Sequence, residues 1–285
     1  MLGKLMKYDL RQNFRNLLPV FIIVIAMSVL SSAGLFAFIK MVQDNGETVF
    51  ESAIGIILMI YTFLTTFLAV IAICCSLLVA GILLIKRFYD STLSDEGYLT
   101  HTLPVSTHQI LISKILSNYI CIVVSVIVAL AAAIIVYLGV RFSLNAEALS
   151  DISWGFREAF TVFKDLYEEM DLSSASALTI INIVLSPIYA ILYAFFCFQL
   201  GAYLAPKHKV LCAIGVYIAS NMIISMASSA YSTARLIVVS QQSFDATAGT
   251  FFNGTLVFSL ILQVVLGAVF YWICHYLMSK RLNLE

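Results

Sequence analysis

Asp95 and Glu96, followed at once by Gly97 and Tyr98, are the residues of this 285-residue chain best suited to chemistry, and that chemistry is recognition. Adjacent carboxylates pair with Lys or Arg on a partner, an aromatic ring fills a pocket as an anchor, and a glycine lets the backbone turn between them. Bond-making groups are missing from the pattern. Cys74, Cys75, Cys121, Cys197, Cys212 and Cys274 all stand in apolar runs, with no CxxC or Cys/His grouping. They read as small packing residues, not as a metal site or a disulfide framework. No HExxH occurs, and the pair Gly3-Lys4 has neither a Ser or Thr after it nor a Gly five residues before it, so there is no phosphate-cradling loop. The chain is therefore expected not to be an enzyme, with no catalytic residue, no metal and no cofactor of its own.

The recognising group stands in a polar stretch, 86–114, between two runs without a charge, 52–85 and 115–140. Both exceed the roughly 20 apolar residues that cross a bilayer as a helix. The whole chain is 61% hydrophobic and 11% charged, against about 25% charged residues in soluble domains. The expected fold class is an all-α integral membrane protein, one six-span domain over 1–285. Charges divide the chain into spans at 17–39, 54–85, 115–140, 177–204, 210–232 and 256–278. No cleavable leader is expected, because the first apolar run is too long for one.

Lys and Arg placement predicts orientation. With the N-terminus inside, Lys4, Lys7, Arg11, Arg15, Lys86, Arg87, Lys114, Lys207, Lys209, Lys280 and Arg281 fall inside, and Lys40, Arg141, Arg157, Lys164 and Arg235 outside. Both termini and the 86–114 loop are thus predicted to be cytosolic. Leu2, Met6, Leu10 and Phe14 recur every four residues beside the cationic stripe Lys4, Lys7, Arg11 and Arg15, which predicts an interfacial helix over 1–16. The segment 141–175 is predicted to be an extracellular amphipathic element, with Phe156, Phe160, Phe163, Tyr167 and Met170 opposed by Glu158, Asp165, Glu168 and Glu169.

No Asp, Glu, Lys or Arg falls inside these spans, whereas ion-coupled transporters and proton pumps usually carry one. Uphill transport would therefore draw its energy from another chain. His275, near the inner end of the sixth span, reads as an interfacial residue. Among the neutral polar residues in the spans, Thr62, Thr65, Thr66, Asn221 and Ser225 are candidates for lining a translocation path, and most of the rest read as helix-packing contacts.

The 86–114 loop is predicted to be helix, break, helix. Thr92 and Asp95 are spaced to open a short helix near Leu93; Leu103-Pro104 ends it; Ser106, three before Gln109, opens the next helix into the third span. A loop so built is held by two membrane helices and can transmit motion. The pattern Arg87-Phe88-Tyr89, Asp95-Glu96-Gly97-Tyr98-Leu99, Thr102-Leu103-Pro104-Val105-Ser106, then Ile110-Leu111 and Lys114, resembles the first inner loop of ABC-2-type transporter permeases. The resemblance extends to the six-span layout and the N-terminal interfacial helix. It implies that this loop carries a coupling element seated in a groove of an ATP-binding subunit, with Arg87, Tyr89, Ser94, Asp95, Glu96, Gly97, Tyr98, Leu99 and Thr100 in the contact.

The resemblance further implies the transmembrane subunit of a bacterial ABC exporter in the plasma membrane, working as a homodimer or beside a sister permease. ATP and Mg would be held by the partner ATPase. No nucleic-acid contact is expected; the lipid bilayer is the other partner. The alternative from a different class is a non-transporting membrane scaffold or sensor that binds a cytosolic partner through the same loop.

Overall fold

A computed structural model describes residues 2–93, 106–144, 157–158, 161–162, 164, 173–239 and 247–280. Among the described residues the chain is all-helical. The long helices are α1 (Leu2–Asn45), α2 (Ala53–Leu93), α3 (Thr107–Ser143), α4 (Ser173–Leu204), α5 (Lys209–Val239) and α6 (Thr247–Lys280). All six are long and apolar enough to cross a membrane. The six-helix transmembrane character read from the sequence is what the structure shows.

The turns explain where the helices stop. α1 ends at Asn45 because Gly46 adopts φ +58, a left-handed conformation that glycine enters without steric cost. A short 3-10 turn, Gly46–Phe50, follows. Ser52 then caps α2, its Oγ accepting from the Gly55 amide at 3.1 Å. Between α4 and α5 the 3-10 turn Pro206–His208 places proline at its first positions, where a missing N–H costs nothing.

Two expectations are revised. The helix expected over 1–16 is not a separate element; α1 is one helix of 44 residues that carries Pro19 within it. Leu10 and Phe14 of its apolar stripe pack on the core formed by Leu17, Ala80, Leu84 and Cys121, while Lys4, Lys7, Arg11 and Arg15 stay exposed. The helix start expected at Thr92 is instead the last turn of α2, which runs through Leu93 with Thr92 wholly buried. Thr92 is itself helical, whereas a capping residue lies outside the helical conformation. The opening at Ser106 holds: the amides of Gln109 and Ile110 donate to the Ser106 carbonyl at 2.9 and 3.2 Å, starting α3.

The chain forms two compact units. One comprises Lys7–Leu84 and Ile120–Ala159. In it α1, α2 and α3 meet through small residues. Ser31 Oγ donates to Thr66 Oγ1 at 3.1 Å, Gly34 lies under the ring of Tyr61, and Gly139 lies against Ser32. Small side chains let helix backbones approach closely, which is how helices associate in lipid.

The other unit comprises Met1–Met6, Ile85–Tyr119 and Phe160–Glu285. It joins the two helical arms of the 86–114 loop to α4, α5 and α6. α4 and α6 pack through Phe196 and Phe270, whose ring centroids are 4.5 Å apart. Asn182 Oδ1 accepts from Ser259 Oγ at 2.9 Å and from Gln263 Nε2 at 3.1 Å across the same pair. α4 and α5 meet where Gly201 lies on the Ala213 backbone, so that any Cβ there would overlap it.

Candidate functional site: the arms of the 86–114 loop

The last two turns of α2 and the first three of α3 flank the 94–105 connection. Ser94, Asp95, Glu96, Gly97, Tyr98, Leu99 and Thr100 lie outside the described residues; Arg87 and Tyr89 are described, both half-buried on α2. The two arms are bound to each other and to α4 and α6.

Lys114, on α3, is 7% exposed, and its Nζ donates to Ser91 Oγ on α2 at 2.6 Å. Ser91 passes its own proton to the Phe88 carbonyl at 3.2 Å. A buried amine is expensive to desolvate unless hydrogen-bonded, so this contact specifies one register of the arms. Its surroundings are tightly packed: Ile110, Leu111, Ser113, Ser117 and Asn118 of α3 are all buried.

Against α4, Phe88 stacks on Phe195 with centroids 3.5 Å apart and planes 11° apart, and both rings are essentially fully buried. Tyr89 meets Phe198 edge-on at 5.9 Å. One turn beyond the stack come Thr92 and Gln199, both buried. Neither the Thr92 hydroxyl nor the Gln199 amide has a hydrogen-bond partner among the described residues.

Against α6, the rings of His108 and His275 stack at 3.6 Å. His108 Nδ1 lies 3.0 Å from Tyr271 Oη, and His275 Nδ1 lies 3.3 Å from Thr107 Oγ1. The first turn of α3 is thus tied to α6 by two polar contacts and two ring contacts, His108 stacking on Tyr271 as well at 6.1 Å. His275, read from sequence as an interfacial residue, is part of an interhelical clasp.

The five candidate path residues divide between the units. Thr62 and Thr65 are buried on α2, with their hydroxyls donating to the carbonyls of Met59 and Tyr61 at 2.9 Å each. Thr66 receives the Ser31 hydroxyl. Asn221 and Ser225 are exposed on α5, where Ser225 Oγ donates to the Met222 carbonyl at 3.0 Å. The three threonines therefore occupy a helix-packing seam, and the α5 pair occupies an uncovered face.

Sequence reasoning missed Lys114 as a buried residue, the Phe88–Phe195 stack and the position of Arg235. α5 runs four residues beyond Arg235, through Leu236, Ile237, Val238 and Val239, so this cation stands within an apolar helix. Those four residues were the available signal. Among the described residues no group of three or more His, Cys, Asp or Glu side chains is placed to hold a metal ion. No protein-family model, curated protein or solved structure matches the chain.

Proposed function

We propose that this chain is the transmembrane permease subunit of a bacterial ABC exporter, driven by a separate cytosolic ATPase that docks on the 94–105 connection. The observation that carries this reading is the Lys114–Ser91 contact, which locks the two arms of the loop together while Phe195 and His275 lock them to α4 and α6. A force applied at such a loop is passed to the membrane helices instead of being absorbed by a slack connector. The resemblance of the Asp95-to-Ser106 pattern to ABC-2-type permeases supplies the kind of partner. Nucleotide-driven closure of two ATPase subunits would draw two such loops together, in a homodimer or a pair with a sister permease, and switch the path between inner and outer access. Apolar spans with neutral polar groups suit a lipid, a peptide or an amphipathic drug better than an ion or a sugar.

The reading predicts that the purified chain hydrolyses no ATP, and that vanadate-sensitive turnover appears when a Walker-motif protein from the same membranes is bound. ATP turnover by a preparation shown by mass spectrometry to hold this chain alone would overturn it.

A further inference from the structure

Two imidazoles lie face to face where the first turn of α3 meets α6. The ring centroids of His108 and His275 are 3.6 Å apart and their planes 19° apart. Each Nδ1 lies beside a hydroxyl of the opposite helix, Tyr271 Oη at 3.0 Å from His108 and Thr107 Oγ1 at 3.3 Å from His275. Among the described residues neither imidazole makes a further hydrogen bond or ion pair. The groups that face the pair are therefore neutral: Thr107 on α3, and on α6 Tyr271, a phenol of a kind that ionises only near pH ~10. Lys114, further along α3, is bonded to Ser91 on α2 instead. No carboxylate among the described residues pairs with either ring.

The two hydrogen bonds are indifferent to the charge on the rings. A hydroxyl donates to a neutral ring nitrogen and accepts from a protonated one. The stack is not indifferent. One imidazolium over a neutral ring is a cation on a π face, which is tolerated. Two imidazoliums at 3.6 Å repel, with no acidic group beside them to offset the charge. The closed pair thus holds one proton without strain and the open pair holds two, so acid favours opening. The clasp is at full strength above the ordinary imidazole range of about 6.5 and is lost as pH falls below it. His108 is the second residue of α3, His275 stands five residues before the end of α6, and His108 is exposed. Protons therefore reach the pair at helix ends without crossing a packed interior.

Beyond the clasp α3 is fixed. Ile110 and Leu111 are buried, and Lys114 is bonded to Ser91. The stretch left to swing is 106–109, which joins the 94–105 connection to α3. We propose that the His108–His275 stack is a pH-operated latch, closed with one proton or none and opened by the second, which releases the first turn of α3 from α6. The latch belongs to this chain alone and operates whether or not an ATPase docks.

The test places spin labels at Gln109→Cys on α3 and Ser279→Cys on α6, both exposed positions, in the full chain without its six native cysteines. Double electron–electron resonance in detergent then reads the gap. At about pH 8 the distance should be single and narrow. At about pH 5.5 it should broaden and lengthen by about 5 Å, one helical turn. In His108→Phe a ring still stacks on His275 and only one proton can bind, so the distance found in base should persist in acid. His275→Phe should behave likewise. Melting of the unlabelled proteins with their native cysteines gives a second reading. Between the same two pH values wild type should lose about 3 °C more than either variant. An unchanged distance in wild type would overturn the latch. So would equal lengthening in His108→Phe, or an equal acid loss of melting temperature in all three proteins.

Discussion

Lys114 and Ser91 join the two arms of the 86–114 loop through a 2.6 Å hydrogen bond with both residues buried. The polar ends of α2 and α3 are therefore joined to each other on either side of the 94–105 connection.

Ser91→Ala removes the acceptor and leaves a buried amine with less compensation. The expected cost is about 1–3 kcal/mol, read as a lower melting temperature of the chain in detergent. Lys114→Met removes the amine as well and keeps most of its volume, so the double variant Ser91→Ala/Lys114→Met should melt closer to wild type than Ser91→Ala does. A Ser91→Ala protein with unchanged melting would mean the contact contributes nothing to holding the arms.

Phe195→Ala should cost about 3 kcal/mol or more through the cavity left beside Phe88, whereas Phe195→Leu should cost less than half of that because it refills most of the space. The same detergent melts check the order. Equal behaviour of the two variants would show that the stack does not hold α2 on α4.

The contrast between residues legible in the sequence and those that were not follows from the physics of span recognition. Uncharged runs such as 115–140 announce themselves by length, and Ser106 announces a helix start by its spacing to Gln109. α1 and α3, however, outrun their uncharged runs at both ends. Lys114 and Arg235 were placed in loops because a charge ordinarily ends a span, yet a charge with a hydrogen-bond partner can continue a helix into a packed interior. Thr92 looked like a cap because hydroxyls cap helices in isolation; its burial depends on neighbours far away in sequence. The Phe88–Phe195 stack and the His108–His275 clasp join residues more than a hundred positions apart, and no local pattern encodes such pairings.

Topology is checked by labelling. In a background lacking the six native cysteines, Ser150→Cys should react with a membrane-impermeant thiol reagent applied outside, and Ser94→Cys should react after permeabilisation. The placement of the basic residues predicts that order. Reaction of Ser94→Cys from outside would remove the docking loop from the cytosol and the partner with it.

Docking should depend on Tyr98 and Gly97 for different reasons. Tyr98→Ala should cost about 2 kcal/mol or more of association with the ATPase, the loss of a buried aromatic anchor. Gly97→Val should weaken it through the backbone, since a β-branched side chain would resist the turn that the sequence predicts at this glycine. Both proteins should insert and melt like wild type, and both should lose substrate-stimulated ATP turnover in proteoliposomes. Full turnover with Tyr98→Ala would show an ordinary connector.

The most direct measurement places a photo-crosslinking amino acid at position 98 in native membranes and identifies what it captures. The account predicts one dominant adduct, to a cytosolic protein carrying a Walker motif, abolished when Asp95 and Glu96 are both changed to Lys and the loop charge is reversed. Capture of lipid alone, or of a soluble protein without a nucleotide-binding loop, would contradict it.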